Sequence, residues 1–151
     1  MTTSAQPAGQ QAAMLGFDDI EIGRQYTLSR TVTAVDVGVF EALSGDNNPL
    51  HMDEDFASRT VFGHRVVHGL FTGALISTAH TRLTGAGFVY VGQDLRFSGP
   101  VHIGDTLTIE LKVVDKKPAK RIIVIHTTVH KQDGKCVLTG QSALKELEFK
   151  T

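Results

Sequence analysis

The 151-residue chain has a single cysteine, Cys136, and no tryptophan. One cysteine excludes an internal disulfide and is typical of a protein from a reducing compartment. The formal net charge is −1, so the protein has no strong positive field to attract nucleic acid or an anionic membrane surface. No apolar run approaches the roughly 18–20 residues of a transmembrane helix. These absences predict a cytoplasmic protein that binds neither nucleic acid nor membrane.

The N-terminus lacks the features of a targeting segment. Residues 1–13 contain no lysine or arginine and no apolar core, whereas signal and transit peptides carry basic residues. We therefore predict a disordered tail over residues 1–14. Residues 15–151 are predicted to form a single domain, because a chain of this length has room for one sizeable core.

A short helix is predicted to begin after Thr33. Thr33 and Asp36 have the spacing of a capping box, in which each side chain bonds the other residue's backbone N–H. Gly45 is a typical residue at a helix end. The next residue, Asp46, is therefore expected to have a backbone that the helix end holds in place.

An acid and a base follow this helix within a tight turn. Asp46 and His51 are five residues apart, and Asn48-Pro49 between them disfavours helical backbone angles. A carboxylate and an imidazole brought together by a rigid turn can hold one water molecule and move its protons. Residue type and spacing alone leave a second interpretation open, in which the two are ordinary turn and surface residues.

Residues 69–83 predict a buried helix. Apolar and small residues surround nearly the whole helical wheel, and no charged residue occurs before Arg82. Gly69, at the start of this helix, has no Cβ, so a ligand can approach its backbone N–H closely. A carbonyl group placed there would be polarised, as in an oxyanion hole.

The rest of the chain predicts an antiparallel sheet. A first strand is expected over residues 26–33, and alternating apolar and polar residues indicate four more, over residues 89–97, 106–113, 121–131 and 135–149. In the second strand, one face is expected to carry Val89, Val91, Leu95 and Phe97. The predicted fold class is α+β, with about five antiparallel strands wrapped around one central buried helix.

Three motifs follow one another along the chain: Phe40-Glu-Ala-Leu-Ser-Gly-Asp-Asn-Asn-Pro-Leu-His51, Val67-His-Gly-Leu70 and Tyr90-Val-Gly-Gln93. In order and spacing they resemble the motifs of MaoC-like hydratases, and more narrowly the (R)-specific enoyl-CoA hydratases of the PhaJ type. The resemblance covers roughly residues 17–148. It implies a hot-dog fold, a homodimer, and reversible syn hydration of a trans-2-enoyl-CoA to an (R)-3-hydroxyacyl-CoA, with no cofactor.

The resemblance also implies roles for individual residues. The catalytic acid and base fall on Asp46 and His51, and the backbone N–H that polarises the thioester carbonyl falls on Gly69. Four further residues are predicted to form or support the acyl-CoA site: Asn48, His68, Ser77 and His80. Asn48 and His68 are expected chiefly to fix the loop and the helix start. The chain departs from the family's pattern at His80, which is more polar than usual, and at Arg65, where relatives often carry proline.

Other functions were weighed against hydration. Two histidine pairs are spaced four residues apart, His64 with His68 and His126 with His130. Zinc needs a third and often a fourth ligand, so no metal site is predicted. A hot-dog thioesterase and a non-catalytic acyl-binding subunit of a dehydratase remain alternatives. The Asp-x-Asn-Pro-x-His signature favours the hydratase.

Overall fold

The computed structural model of the protein describes residues 13–151. The helices are α1 (Ala34–Ser44), α2 (Pro49–Met52), α3 (Glu54–Ser58) and α4 (Gly69–Thr84). The strands are β1 (Gln25–Thr31), β2 (Phe88–Phe97), β3 (Thr106–Lys117), β4 (Ile122–His130) and β5 (Cys136–Glu146). Two single 3-10 turns complete the secondary structure of this part of the chain, Phe17–Asp19 and Pro118–Lys120.

The five strands form one antiparallel sheet in the order β1-β3-β4-β5-β2. Helix α4 packs against one face of this sheet. The core lies between them and includes four alternate residues of β3: Leu107, Ile109, Leu111 and Val113. This arrangement is the hot-dog fold, so the predicted fold class is confirmed.

Helix α4 is buried on one face and exposed on the other. Its buried residues include Phe71, Leu75, Ile76, Ala79 and Leu83. The opposite face exposes Leu70 and Ser77 to solvent. The expectation that α4 is buried all round is wrong for the single chain, because the curled sheet covers only one side of the helix.

Strand β2 departs from its predicted alternation. The register with β5 shifts between Tyr90 and Gly92, so an extra residue, Val91, interrupts the period of two. Val89, Val91 and Phe97 are exposed, whereas Leu95 packs against the core. The shared apolar face predicted for this strand is therefore not formed.

Most of the predicted N-terminal tail lies outside the described residues. Its last two residues, Ala13 and Met14, lie against the end of α4. The N–H of Ala86 donates to the carbonyl of Ala13 (3.0 Å), and Met14 pairs with Gly85. A Cβ on Gly85 would lie 1.6 Å from that carbonyl oxygen, so only glycine permits this close approach.

Within residues 13–151, no helix is both long and apolar enough to cross a membrane.

Candidate active site

The end of α1 fixes the loop that carries Asp46. Thr33 and Asp36 form the predicted capping box at the start of α1, and Gly45 ends it in the left-handed conformation with φ of 79°. The Gly45 N–H donates to the carbonyl of Glu41 (2.8 Å). The N–H of Asp46 then donates to Ser44 Oγ (3.2 Å). The predicted helix stop is confirmed, and it holds the backbone of Asp46.

The turn between Asp46 and His51 contains one helical turn that the sequence did not predict. Asn48 caps α2, since its Oδ1 accepts from the N–H of Leu50 (3.0 Å), and Pro49 occupies the first helical position. Proline suits that position because its missing N–H would have no partner there. His51 therefore projects from a short, capped helix and not from an irregular loop.

Within the part of the chain that the structure describes, the His51 side chain has one nitrogen that is hydrogen-bonded and one that is not. Its Nδ1 lies 2.6 Å from the carbonyl oxygen of Val66 and must be the donor, since a carbonyl only accepts. In the neutral ring, Nε2 is then an acceptor. It faces Asp46 Oδ2 across 4.0 Å, which is too long for a direct hydrogen bond. Asp46 Oδ1 accepts from the N–H of Asn48 (3.2 Å), whereas Oδ2 accepts no hydrogen bond from residues 13–151.

His68 contacts both members of this pair. Its Nε2 donates to the backbone carbonyl of Asp46 (2.9 Å), and its ring lies against the His51 ring with 4.0 Å between centroids. The His68 ring is also near Phe40, with 4.8 Å between ring centroids. Because His68 is buried, it fixes the relative position of the acid and the base.

Gly69 begins α4 beside His68. The N–H groups of the first helical turn have no acceptor within the helix, and they carry the positive end of its dipole. A Cβ at this position would lie 2.8 Å from Cε1 of Phe97. The absence of a side chain therefore lets the Phe97 ring pack closely against the start of α4.

These groups share one cavity of about 640 Å³. Asp46, His51, His68 and Gly69 line it. The remaining wall is mostly apolar and includes Phe40, Phe62, Leu70, Phe97, Pro100, Val101 and Val137. An apolar cavity with a few converging polar groups is the usual form of a small-molecule site.

Three of the predicted site residues lie elsewhere. Asn48 caps α2 and does not line the cavity. Ser77 is exposed on α4. His80 is buried in the core, with Nε2 2.7 Å from Ser142 Oγ, and burial lowers the pKa of His80 to about 4. The structure therefore does not bring Ser77 or His80 to the cavity of Asp46 and His51.

Asp46, His51 and His68 also form a cluster of possible metal ligands. One ligand atom from each residue lies within 4.8 Å of the other two. A tetrahedral zinc ion, about 2.0–2.1 Å from each ligand, needs those atoms about 3.3 Å apart. The 4.0 Å gap from Asp46 to His51 is wider, and Nε2 of His68 already donates to a carbonyl. The spacing suits a bound water better than zinc.

Two contacts of His51 were not predicted from the sequence. The carbonyl of Val66 accepts from the His51 ring, and Nε of Arg65 donates to the His51 backbone carbonyl (2.6 Å). No local pattern signals these contacts, because 14 and 15 residues separate the partners. The cavity wall formed by residues 97–101 was also missed, although Gly99-Pro100 does mark a loop.

Comparison with known proteins agrees with this fold. The chain matches the family described as MaoC like domain over residues 19–134. An (R)-specific enoyl-CoA hydratase of Rhodospirillum rubrum is 40% identical over 129 residues, covering 85% of this chain and 89% of that protein. A 3-hydroxybutyryl-CoA dehydratase of Methylorubrum extorquens is 40% identical over 133 residues, covering 87% of this chain and 84% of that protein.

Among solved structures, the unliganded R-hydratase PhaJ1 from Pseudomonas aeruginosa superposes with a TM-score of 0.82 at 35% identity. The match covers 91% of this chain and 93% of that one. The fold and site define a hot-dog protein in which a carboxylate and an imidazole share a cavity with the start of the central helix. Within that class, the chain belongs to the MaoC-like domain family.

Proposed function

We propose that the protein is a hydro-lyase that adds water reversibly to a trans-2-enoyl-CoA and gives an (R)-3-hydroxyacyl-CoA. The observation that carries this proposal is the 4.0 Å gap between Asp46 Oδ2 and His51 Nε2, in the cavity that Gly69 also lines. Relatives that are named for the hydration and for the reverse dehydration support it.

The gap between the acid and the base suits one water molecule. Oδ2 of Asp46 and Nε2 of His51 both accept, so a water between them donates one O–H to each. The angle between the two O–H bonds of water fixes the angle between these hydrogen bonds. With each bond about 2.8 Å long, the two acceptors lie roughly 4–4.5 Å apart. The water's lone pairs then point away from both acceptors, toward a substrate carbon.

The N–H of Gly69 supplies the second requirement of the reaction. A thioester carbonyl that accepts this hydrogen bond becomes a better acceptor of charge as water attacks the β-carbon and an enolate develops. One such donor contributes on the order of 3 kcal/mol. The water's proton passes to the Asp46–His51 pair, and the pair returns a proton to the α-carbon. Because both groups lie on one side of the cavity, the two additions occur on the same face.

The proposed assembly is a homodimer in which the β2 edges of two copies meet. β2 forms one edge of the sheet and exposes Val89, Tyr90, Val91 and Phe97. Exposed apolar residues on an unpaired edge favour pairing with another strand. Light scattering is expected to give twice the 16.3 kDa chain mass, and Val91→Lys should give the single-chain mass. A wild-type monomer would contradict this assembly.

Hydration of crotonyl-CoA tests the function. Loss of the enoyl-thioester absorbance is expected for the wild type, with an (R)-configured product on chiral analysis. Asp46→Asn should lower kcat by about 10²–10⁴-fold, the usual contribution of general acid–base catalysis. Asp53→Asn is the matched control, because Asp53 only caps α3 through the N–H of Phe56 and asparagine caps equally well.

The same samples separate the alternatives. Release of free thiol from an acyl-CoA, measured with a thiol reagent, would indicate a thioesterase. Activity that appears only when another chain is added would indicate a non-catalytic subunit. Full activity in Asp46→Asn would refute the assigned mechanism.

A further inference from the structure

Two adjacent residues hold His51 at two points. Nε of Arg65 donates to the backbone carbonyl of His51 (2.6 Å), and the carbonyl of Val66 accepts from Nδ1 of the His51 ring (2.6 Å). The N–H of Val66 also donates to the carbonyl of Leu50 (3.1 Å). The backbone and the ring of His51 are therefore fixed from the same short stretch of chain.

The bond from Arg65 satisfies a group that α2 cannot satisfy by itself. The last carbonyls of a helix have no partner within the helix, and α2 has only four residues. A guanidinium donor makes a charge-assisted hydrogen bond, which is stronger than a neutral one. Arg65 thereby braces the end of the short helix from which His51 projects.

Arg65 itself is held on both sides. Its backbone N–H donates to Glu54 Oε2 (3.1 Å), and its carbonyl accepts from Nδ1 of His102 (3.0 Å). The other oxygen of Glu54 accepts from Nδ1 of His64 (2.6 Å). The side-chain bond from His64 and the backbone bond from Arg65 lower the pKa of Glu54, so its carboxylate remains ionised and keeps both bonds at neutral pH.

Given the proposed function, we infer that Arg65 is a positioning residue that keeps His51 at water-sharing distance from Asp46. Arg65 does not line the cavity, so it acts through the His51 backbone and not on the substrate. A displacement of about 1 Å in a catalytic group can lower a rate by about 10²-fold. Loss of the bond should therefore reduce kcat and leave KM nearly unchanged.

Arg65→Met removes the donors but keeps most of the aliphatic stem. The expected result is a kcat lower by about 10–100-fold, with KM within about twofold of the wild type. Arg65→Lys should recover part of the loss, because an ammonium group can still donate to the carbonyl. The matched control is Arg24→Met. Nε of Arg24 also donates to a backbone carbonyl, that of Leu83 (2.9 Å), but at the far end of α4, so kcat should stay unchanged.

A double variant shows whether Arg65 acts through His51. In a His51→Gln background, Arg65→Met should lower kcat by less than about twofold, since the group that it positions is already gone. A further loss as large as in the wild-type background would overturn the inference. So would a large rise in KM with kcat unchanged, which would indicate direct substrate binding by Arg65.

A spectroscopic measurement tests the inference without turnover. The Nδ1 proton of His51 bonds the carbonyl of Val66, which should slow its exchange with solvent. This exchange can be followed by NMR in the full chain. Exchange should be faster in Arg65→Met, intermediate in Arg65→Lys and close to the wild-type rate in Arg24→Met. Unchanged exchange in Arg65→Met would refute the role of Arg65. If the wild type fails to hydrate crotonyl-CoA, the proposed function is refuted. The exchange rates still show whether Arg65 holds the His51 ring in place.

Discussion

Two histidines near opposite ends of α4 differ in what surrounds their second nitrogen. At the N-terminal end, His51 gives Nδ1 to a carbonyl and turns Nε2 toward Asp46 across 4.0 Å of cavity. In the C-terminal half, His80 bonds Ser142 through Nε2, and its Nδ1 is buried without a hydrogen-bond partner among the described residues. Nε2 of His51 is therefore placed to bind water in the cavity. Nδ1 of His80 has no such contact, and burial favours the neutral form of the His80 ring.

The two histidines show how the same side chain can serve a reaction in one place and the stability of the core in another. A free acceptor beside a carboxylate, on the wall of a cavity, can take and return a proton. A histidine ring in the core has no such use, and its desolvation penalises the charged form of the ring. Burial accordingly lowers the pKa of His80 to about 4. The environment, and not the residue type, makes His51 the histidine that we propose for catalysis.

The largest expected effect is the loss of activity in His51→Gln. Glutamine cannot accept and return a proton, so kcat for crotonyl-CoA hydration should fall by about 10²–10⁴-fold. The melting temperature should stay close to that of the wild type, because His51 lies at the cavity wall.

His80→Gln is the control that sharpens the comparison. It should lower the free energy of unfolding by about 1–3 kcal/mol through poorer packing and bonding in the core. The folded variant should keep kcat within about threefold of the wild type. Equal kcat losses in the two variants would contradict the assignment of His51 alone to the chemistry.

A smaller effect is expected from Gly69→Ala. The added methyl group would lie 2.8 Å from the Phe97 ring, and the ring must swing into the cavity beside the N–H of Gly69. We expect kcat/KM to fall by about 10–100-fold, less than the 10²–10³-fold known for loss of a whole oxyanion donor.

Gly73→Ala is its matched control on the same helix. There the nearest atom to the new methyl group is Cδ1 of Leu95 at 3.1 Å, which is the end of a flexible side chain. Activity should be unchanged, and a melting curve close to that of the wild type should confirm that the helix tolerates alanine. Equal losses in Gly69→Ala and Gly73→Ala would show that the effect does not come from the N–H.

The pH dependence of stability should report His80. Its pKa is about 4 in the folded protein against an ordinary value of 6.5, so the unfolded chain binds the proton more readily. The contribution of His80 to the free energy of unfolding is thus fully present above about pH 6.5, and it is lost as the pH falls toward 4. Between pH 7 and pH 5 the loss is about 2 kcal/mol.

Urea unfolding at the two pH values measures this loss. His80→Gln cannot titrate, so its stability should fall by about 2 kcal/mol less than that of the wild type over the same interval. Identical pH dependence in both proteins would show that His80 is not the group responsible.

Local patterns predicted most of the fold and the centre of the site. The capping box at Thr33 and the stop at Gly45 were predictable because those signals lie within a few residues of the backbone groups they satisfy. The alternation in β3 predicted its buried face for the same reason. These features depend on neighbours along the chain, and the structure confirms them.

Contacts between distant residues were not predictable in this way. The bonds from Arg65 and Val66 to His51 depend on how the chain returns to α2, and no spacing in the sequence encodes that return. The burial of His80 against Ser142 joins residues 62 apart. An apolar helix pattern placed His80 on α4 but could not say whether it faces the core, the cavity or solvent.

The smallest effect is expected from substitution of Asn48. This substitution tests whether the candidate site extends beyond the residues that line the cavity. Oδ1 of Asn48 caps α2 through the N–H of Leu50 (3.0 Å), and the side chain does not line the cavity. Asn48→Ala should cost about 1 kcal/mol of stability and lower kcat by severalfold, because α2 carries His51. Asn48→Ser keeps a capping oxygen and should restore both stability and kcat. If serine restores stability but leaves kcat low, Asn48 contacts the substrate directly, and the site is larger than the cavity that Asp46 and His51 line.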